Sequence, residues 1–161
     1  MREHTLHTEQ TLSAPLDRVF AFFANAENLE AITPPFLKFH ITTPTPIAMH
    51  PGTEIAYDLS LHGIRFNWAS RITVWEPGVR FVDEQLKGPY RRWIHEHSFA
   101  PAPGNPNHTV VTDHVRYVVP GGIFQAPIHR LLVRPQLDRI FAHRAQATKR
   151  LIESPQVGPA R

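Results

Sequence analysis

Between Asp83 and Tyr117 the chain sets polar and aromatic residues on alternate positions in three successive segments. No other feature constrains its fold as strongly. The segments read Asp83-x-Gln85, Trp93-x-His95-x-His97-x-Phe99 and Asp113-x-Val115-x-Tyr117, with Gly88-Pro89-Tyr90 after the first. In a strand, residues i, i+2 and i+4 point to one face. If the segments are antiparallel neighbours, two histidines, two carboxylates and a glutamine share a surface with Trp93, Phe99 and Tyr117. A plain core would be apolar there. A face that mixes aromatic and ionisable groups predicts an enclosed pocket for a small molecule. A one-residue slip of register would turn each set to solvent.

The flanking sequence supplies the remaining elements. His4–Leu12 alternates, with Leu6, Thr8, Gln10 and Leu12 on one face, and predicts a first strand. Ser13-Ala14-Pro15 opens a helix whose apolar face is Val19, Phe20, Phe22 and Phe23. Residues 25–32 predict a second short helix, ended by Thr33-Pro34-Pro35. Further strands are expected over 36–42, 52–61, 64–75, 79–86, 91–99 and 108–119. Within 64–75, Phe66, Trp68, Ser70, Ile72 and Val74 are expected on one face. Pro- and Asn-rich residues 101–107 read as a hairpin loop. Leu137, Ile140, Phe141, Ala145, Thr148 and Ile152 then recur at helical spacing. Pro135 either starts this helix or kinks a longer one beginning near Ile123, with Gly121-Gly122 as a joint before it. Arg130, Arg134, Arg139, Arg144, Lys149 and Arg150 are expected on its solvated face.

Strands segregated from helices indicate an α+β fold with an antiparallel sheet. A twisted sheet of six to seven strands curls, and the long C-terminal helix is its natural cover. At 161 residues the chain has the length of one domain, 1–161, with an ordered core over about 4–153. It has no cysteine, which excludes disulfides, thiolate zinc sites and a cysteine nucleophile. No apolar run approaches the ~20 residues that span a bilayer, and Met1-Arg2-Glu3-His4-Thr5 lacks a signal-type apolar stretch. These features lead to an expectation of a soluble cytoplasmic protein. A net charge of +3 and the absence of any nucleic-acid-binding motif argue against a nucleic-acid partner. No P-loop, dinucleotide fingerprint or nucleophile elbow is present, so no cofactor is expected.

Ala14-Pro15-x-x-x-Val19-Phe20-x-Phe22-Phe23, Asn28-Leu29, Thr33-Pro34-Pro35, the stretch from Gly88-Pro89-Tyr90 through Phe99, and Asp113-x-Val115-x-Tyr117 together resemble the START-like superfamily. This is also called SRPBCC or the birch-pollen-allergen type. The likeness extends from about Thr5 to Ile152 and is greatest to small stand-alone bacterial members described as ligand-binding or cyclase/dehydrase-like. It implies a helix-grip fold, a curved antiparallel sheet wrapped around the C-terminal helix, with two short helices after the first strand. It also implies a cavity between sheet and helix that takes a hydrophobic or amphipathic ligand such as a lipid, isoprenoid, quinone or polyketide-like compound. The ligand-binding candidates are Phe66, Trp68, Asp83, Gln85, Tyr90, Trp93, His95, His97, Phe99, Asp113, Val115 and Tyr117. One alternative is a cofactor-independent cyclase or dehydratase with His95, His97 and Asp113 as acid–base candidates. Another is a module that presents the basic helix to a membrane surface or a protein. The same side chains also compose a buried polar network that serves structure without chemistry. His95-x-His97 with Asp83 or Asp113 offers an incomplete metal set, and no metal is assigned.

Overall fold

A computed structural model describes residues 2–61 and 63–154. Seven antiparallel strands form one sheet in the order β1-β7-β6-β5-β4-β3-β2. They are β1 (His4–Leu12), β2 (His40–Ile41), β3 (Glu54–Leu61), β4 (Ile64–Glu76), β5 (Arg80–Lys87), β6 (Arg92–Ala102) and β7 (Asn105–Val118). Between β1 and β2 lie helices α1 (Leu16–Ala24) and α2 (Asn28–Ile32). After β7 comes a helical run of α3 (Gln125–Ile128), a π-helical turn (His129–Val133) and α4 (Arg134–Glu153). The sheet curves around α4 in the helix-grip arrangement.

Local chemistry explains these elements and three departures from expectation. Pro15, in extended conformation, is itself the N-cap of α1, and Asp17 supplies the acidic first turn. The strand expected over 36–42 shrinks to His40–Ile41, because Pro35–Leu37 forms a 3-10 turn and Lys38 follows at φ 45°. In β4, Ile72 faces Asp83 but Val74 faces Val82, so Thr73 is an extra residue in a bulge. The bulge reverses the alternation. Val74 therefore leaves the inner face and Trp75 packs there on Phe20 and Phe81. The 101–107 stretch is mostly strand, since Ala102 pairs with Asn105 around a tight turn with Gly104 at φ 75°.

Pro135 explains the wide turn before α4. It lacks an N–H, and its ring crowds the carbonyl four residues earlier. The chain relaxes into the π-helical turn and continues, so the helical run is the longer of the two expected alternatives. Ser13 N–H donates to Glu153 at 2.8 Å and Arg18 donates to the Ile152 carbonyl at 2.6 Å, tying the end of α4 to the start of α1.

The concave face carries two apolar clusters. One holds Leu6, Trp68, Trp93, Val115, Tyr117, Leu137 and Phe141. The other holds Leu12, Val19, Ile72, Phe81, Phe99, Val111 and Ile152. On each central strand a polar residue stands between them: Ser70 between Trp68 and Ile72, His95 and His97 between Trp93 and Phe99, Asp113 between Val111 and Val115. A polar row thus crosses the sheet between two cores.

Candidate functional site

Strand register builds the row. Asp83 pairs with His95 across β5 and β6, and His97 pairs with Asp113 across β6 and β7. Directly opposed residues share a face, so all four side chains converge. His95 Nε2 lies 2.9 Å from Asp113 Oδ1, and His97 Nε2 lies 3.2 Å from Asp83 Oδ2. His97 Nδ1 is 3.0 Å from Asp113 Oδ1, within ion-pair reach but off the line a hydrogen bond needs. The two imidazoles lie with ring centres 3.8 Å apart, tilted 34° to each other.

The row continues at both ends. Thr8 Oγ1 donates to Asp113 at 3.3 Å on the β1 side. On the other side Ser70 Oγ donates to Asp83 at 3.4 Å and receives the Trp68 indole N–H at 2.9 Å. The Tyr57 hydroxyl is 3.5 Å from Ser70 Oγ. Six strands contribute to one connected set. Buried polar groups are stable when they satisfy one another, and most of these do, while His97 Nδ1 has an ion-pair contact but no hydrogen bond.

The two histidines differ electrostatically. Burial works against charge on both rings. For His95 burial and the neighbouring His97 prevail over the carboxylates, and its pKa falls. His97 sits between two carboxylates; they outweigh burial, and its pKa rises. Burial also opposes ionisation of Asp83 and Asp113. The hydrogen bond from His97 and the charge of both rings nevertheless hold Asp83 low, and the hydrogen bond from His95 with the nearby charge of both rings holds Asp113 lower still. The arrangement therefore favours the protonated form at His97 and the neutral form at His95. With Nε2–H of His95 donating to Asp113, its Nδ1 keeps a lone pair, 3.7 Å from Asp83 Oδ2.

This row forms one wall of a cavity of about 190 Å³ enclosed by the sheet, α1, α2 and α4. Trp68, Asp83, Tyr90, Trp93, His95 and His97 line it. Tyr57, Trp68, Tyr90 and Trp93 form an aromatic corner, with Trp68 stacked on Tyr57 at 5.9 Å and edge-on to Trp93 at 5.5 Å. Burial pushes both tyrosine hydroxyls up, so they stay neutral.

Other candidates serve elsewhere. Asp113 stands behind the rings and orients them. Gln85 binds the Tyr90 carbonyl at 2.7 Å and Tyr90 N–H at 3.3 Å, fastening the Gly88–Tyr90 turn instead of lining the cavity. Phe99 packs with Phe20, Phe23 and Phe81 in the second core. Val115 is fully buried in the first core, and Phe66 is half-buried opposite Leu59. The Tyr117 hydroxyl contacts His129 Nε2 at 2.9 Å, remote from the His–Asp set.

Sequence reasoning missed Arg144, which was expected on the solvated helix face. It lines the cavity, and its charge contributes to holding Asp83 low. Its signal was the spacing Leu137, Phe141, Arg144, which shares one helix face. Tyr57 was also missed. Its alternation with Ile55 and Leu59 marks the inner face of β3, and all three line the cavity. One nitrogen or oxygen from each of Asp83, His95 and His97 lies within 4.8 Å of the others, a spacing that a divalent cation tolerates. The same three residues are already engaged in the ion pairs described.

Residues 12–149 match the model of the family described as polyketide cyclase/dehydrase and lipid transport. No functionally curated protein matches the sequence. Among solved structures, an aromatase/cyclase from Streptomyces sp. R1128 is similar at a TM-score of 0.67 and 16% identity, over 99% of this chain and 100% of that one. Truncated norcoclaurine synthase of Thalictrum flavum is similar at 0.68 and 13%, over 96% of each chain. A protein from Thermus thermophilus is similar at 0.67 and 18%, over 92% of this chain and 97% of that one. At these identities the likeness is one of fold.

Proposed function

We propose that this protein, which belongs to the polyketide cyclase/dehydrase and lipid transport family of the START-like superfamily, binds a small amphipathic molecule in the cavity between sheet and α4. The observation that carries this reading is a cavity whose sheet wall sets an ordered His–Asp row beside a corner of aromatics. Apolar walls supply affinity at roughly 25 cal/mol per Å² buried. His95, His97 and the neutral tyrosine hydroxyls orient the polar end. At 190 Å³ the cavity is below the ~300 Å³ at which pockets for drug-sized ligands begin. It therefore suits a compound of one or two rings or a short isoprenoid better than a full lipid.

The test is titration with 1-naphthol, a bicyclic phenol, followed by Trp68 and Trp93 fluorescence. Saturable quenching is expected, and Leu59→Trp, which fills the cavity, should abolish it. Equal quenching in Leu59→Trp would place the binding elsewhere.

A second reading rests on His95 and His97 lying 3.8 Å apart on the cavity wall with opposite shifts. A neutral base beside an imidazolium acid, both on the cavity wall, is the pairing that dehydrative cyclisation needs. The lone pair of His95 would take a proton from carbon while His97 protonates the departing hydroxyl. His97→Gln separates the readings. Turnover of a poly-β-ketone substrate that vanishes while naphthol binding persists supports catalysis, and no turnover by the native protein opposes it.

A further inference from the structure

Four large apolar side chains stand in water within ten residues at the start of the helical run. Ile123 is 90% exposed, Leu131 69%, Phe124 63% and Leu132 58%. Phe124, Pro127 and Leu131 recur at three and four residues and form an outward stripe. The segment is firmly held from behind. Buried Gln125 grips the Arg2 backbone through bonds of 2.7 and 3.1 Å, and Ile128 packs on the first core. The apolar face is thus displayed by an anchored helix, and such faces mark contact sites.

Its surroundings are basic. There is no Asp or Glu between Asp113 and Asp138. Arg130 and Arg134 lie on the same run, Arg2 is tied to Gln125, and Arg91 N–H binds the Val118 carbonyl just before the Gly121 turn. Two acids are near, and both are used: Glu3 pairs with Arg92 at 3.2 Å and Asp138 with Arg134 at 2.9 Å. Among the described residues, Arg2, Arg91 and Arg130 make no ion pair.

We propose that this stripe and its arginine rim dock the protein on an anionic lipid bilayer. An apolar helical face flanked by arginines is the form of an interfacial anchor. Side chains that project into water insert into a fluid surface, whereas a protein partner must offer a matching pocket for each. Self-association through a two-fold contact would place the same arginines against each other. The docking surface is therefore the segment from Ile123 through the π-helical turn rather than the basic face of α4. Gln136, Leu137 and Ile140 of the cavity wall follow within two turns, so ligand would enter or leave beside the membrane. Docking does not depend on the cavity reading, because the ligand-free protein should bind vesicles equally.

The experiment is co-sedimentation of the full chain with vesicles of phosphatidylcholine, alone or mixed with phosphatidylglycerol, at low and high salt. Binding to the mixed vesicles is expected, weakened by salt. Arg130→Gln should weaken it about fivefold, and the combination Ile123→Ser, Phe124→Ser, Leu131→Ser about a hundredfold. No binding to the mixed vesicles, or binding indifferent to both salt and Arg130→Gln, would overturn the proposal. So would undiminished binding by the triple variant, or a native dimer that this variant converts to monomer.

Discussion

The polar row inside the sheet and the apolar stripe outside it both invert the usual distribution of side chains, with opposite consequences. Inside, each ionisable group has a partner: Asp113 holds both imidazoles, Asp83 holds His97, and Ser70 and Thr8 close the ends. Outside, Ile123, Phe124, Leu131 and Leu132 have water. A self-satisfied set contributes stability and stays available at a cavity wall. An unsatisfied one contributes little to folding and acquires value on meeting a second phase. Where the partners are found, within the chain or beyond it, separates a binding site from a docking surface.

The strongest way to break this contrast is Asp113→Ala, which leaves two buried rings without their shared anion. Loss of one partner from a buried pair costs about 3–5 kcal/mol, so thermal melting should fall by about 10 °C. A melt within a degree or two of the native protein would mean that the two rings do not depend on Asp113 as their partner. Replacing Asp83, His95, His97 and Asp113 together with leucine sharpens the point. Such exchanges are often neutral in stability, and calorimetry should find a folded protein that no longer orients the hydroxyl of naphthol.

Next in size is Leu59→Trp. Overpacking costs about 1–3 kcal/mol, and isothermal titration should show naphthol heat disappear while circular dichroism remains native.

Dependence on pH is smaller and has two signs. Asp83 and Asp113 are held below the ordinary 3.8, so their contribution is present above that value and lost as pH falls through their folded values. His95, held below 6.5, adds a loss that begins as pH drops below 6.5. His97 is raised, so its contribution is complete below 6.5 and fades as pH climbs through its folded value. Denaturant midpoints across pH should therefore decline on both sides. His97→Gln should remove the part of the decline that begins just above 6.5, and His95→Gln should lessen the mild fall just below 6.5, to which His4 and His129 also contribute.

The smallest effect belongs to the exterior. Ile123→Ser with Phe124→Ser should shift stability by no more than about 0.5 kcal/mol, read as an unchanged melt. A large loss would show that these side chains pack inward.

The polar row was legible on β6 and β7 because the alternation there is unbroken from Trp93 to Phe99 and from Val111 to Tyr117. His95 and His97 each face a carboxylate across the register that the pattern implies. Legibility failed where one residue altered the geometry. Thr73 bulges and moves Val74 off the inner face, and Lys38 adopts a left-handed backbone that ends any strand before His40. Both depend on neighbours remote in sequence. Arg144 was obscured for a different reason: helical spacing placed it beside Phe141, but its charge suggested solvent. Gln85 shares a face with Asp83, yet the adjacent Gly88–Tyr90 turn captures its amide. Alternation gives a face, and the competing partners on that face decide the role.

The most direct measurement is native mass spectrometry of the protein purified gently from its own host, then repeated after incubation with 1-naphthol. The account predicts an excess mass of one small organic molecule that is released on denaturation, or a naphthol adduct if the cavity arrives empty. A bare mass in both spectra would contradict it.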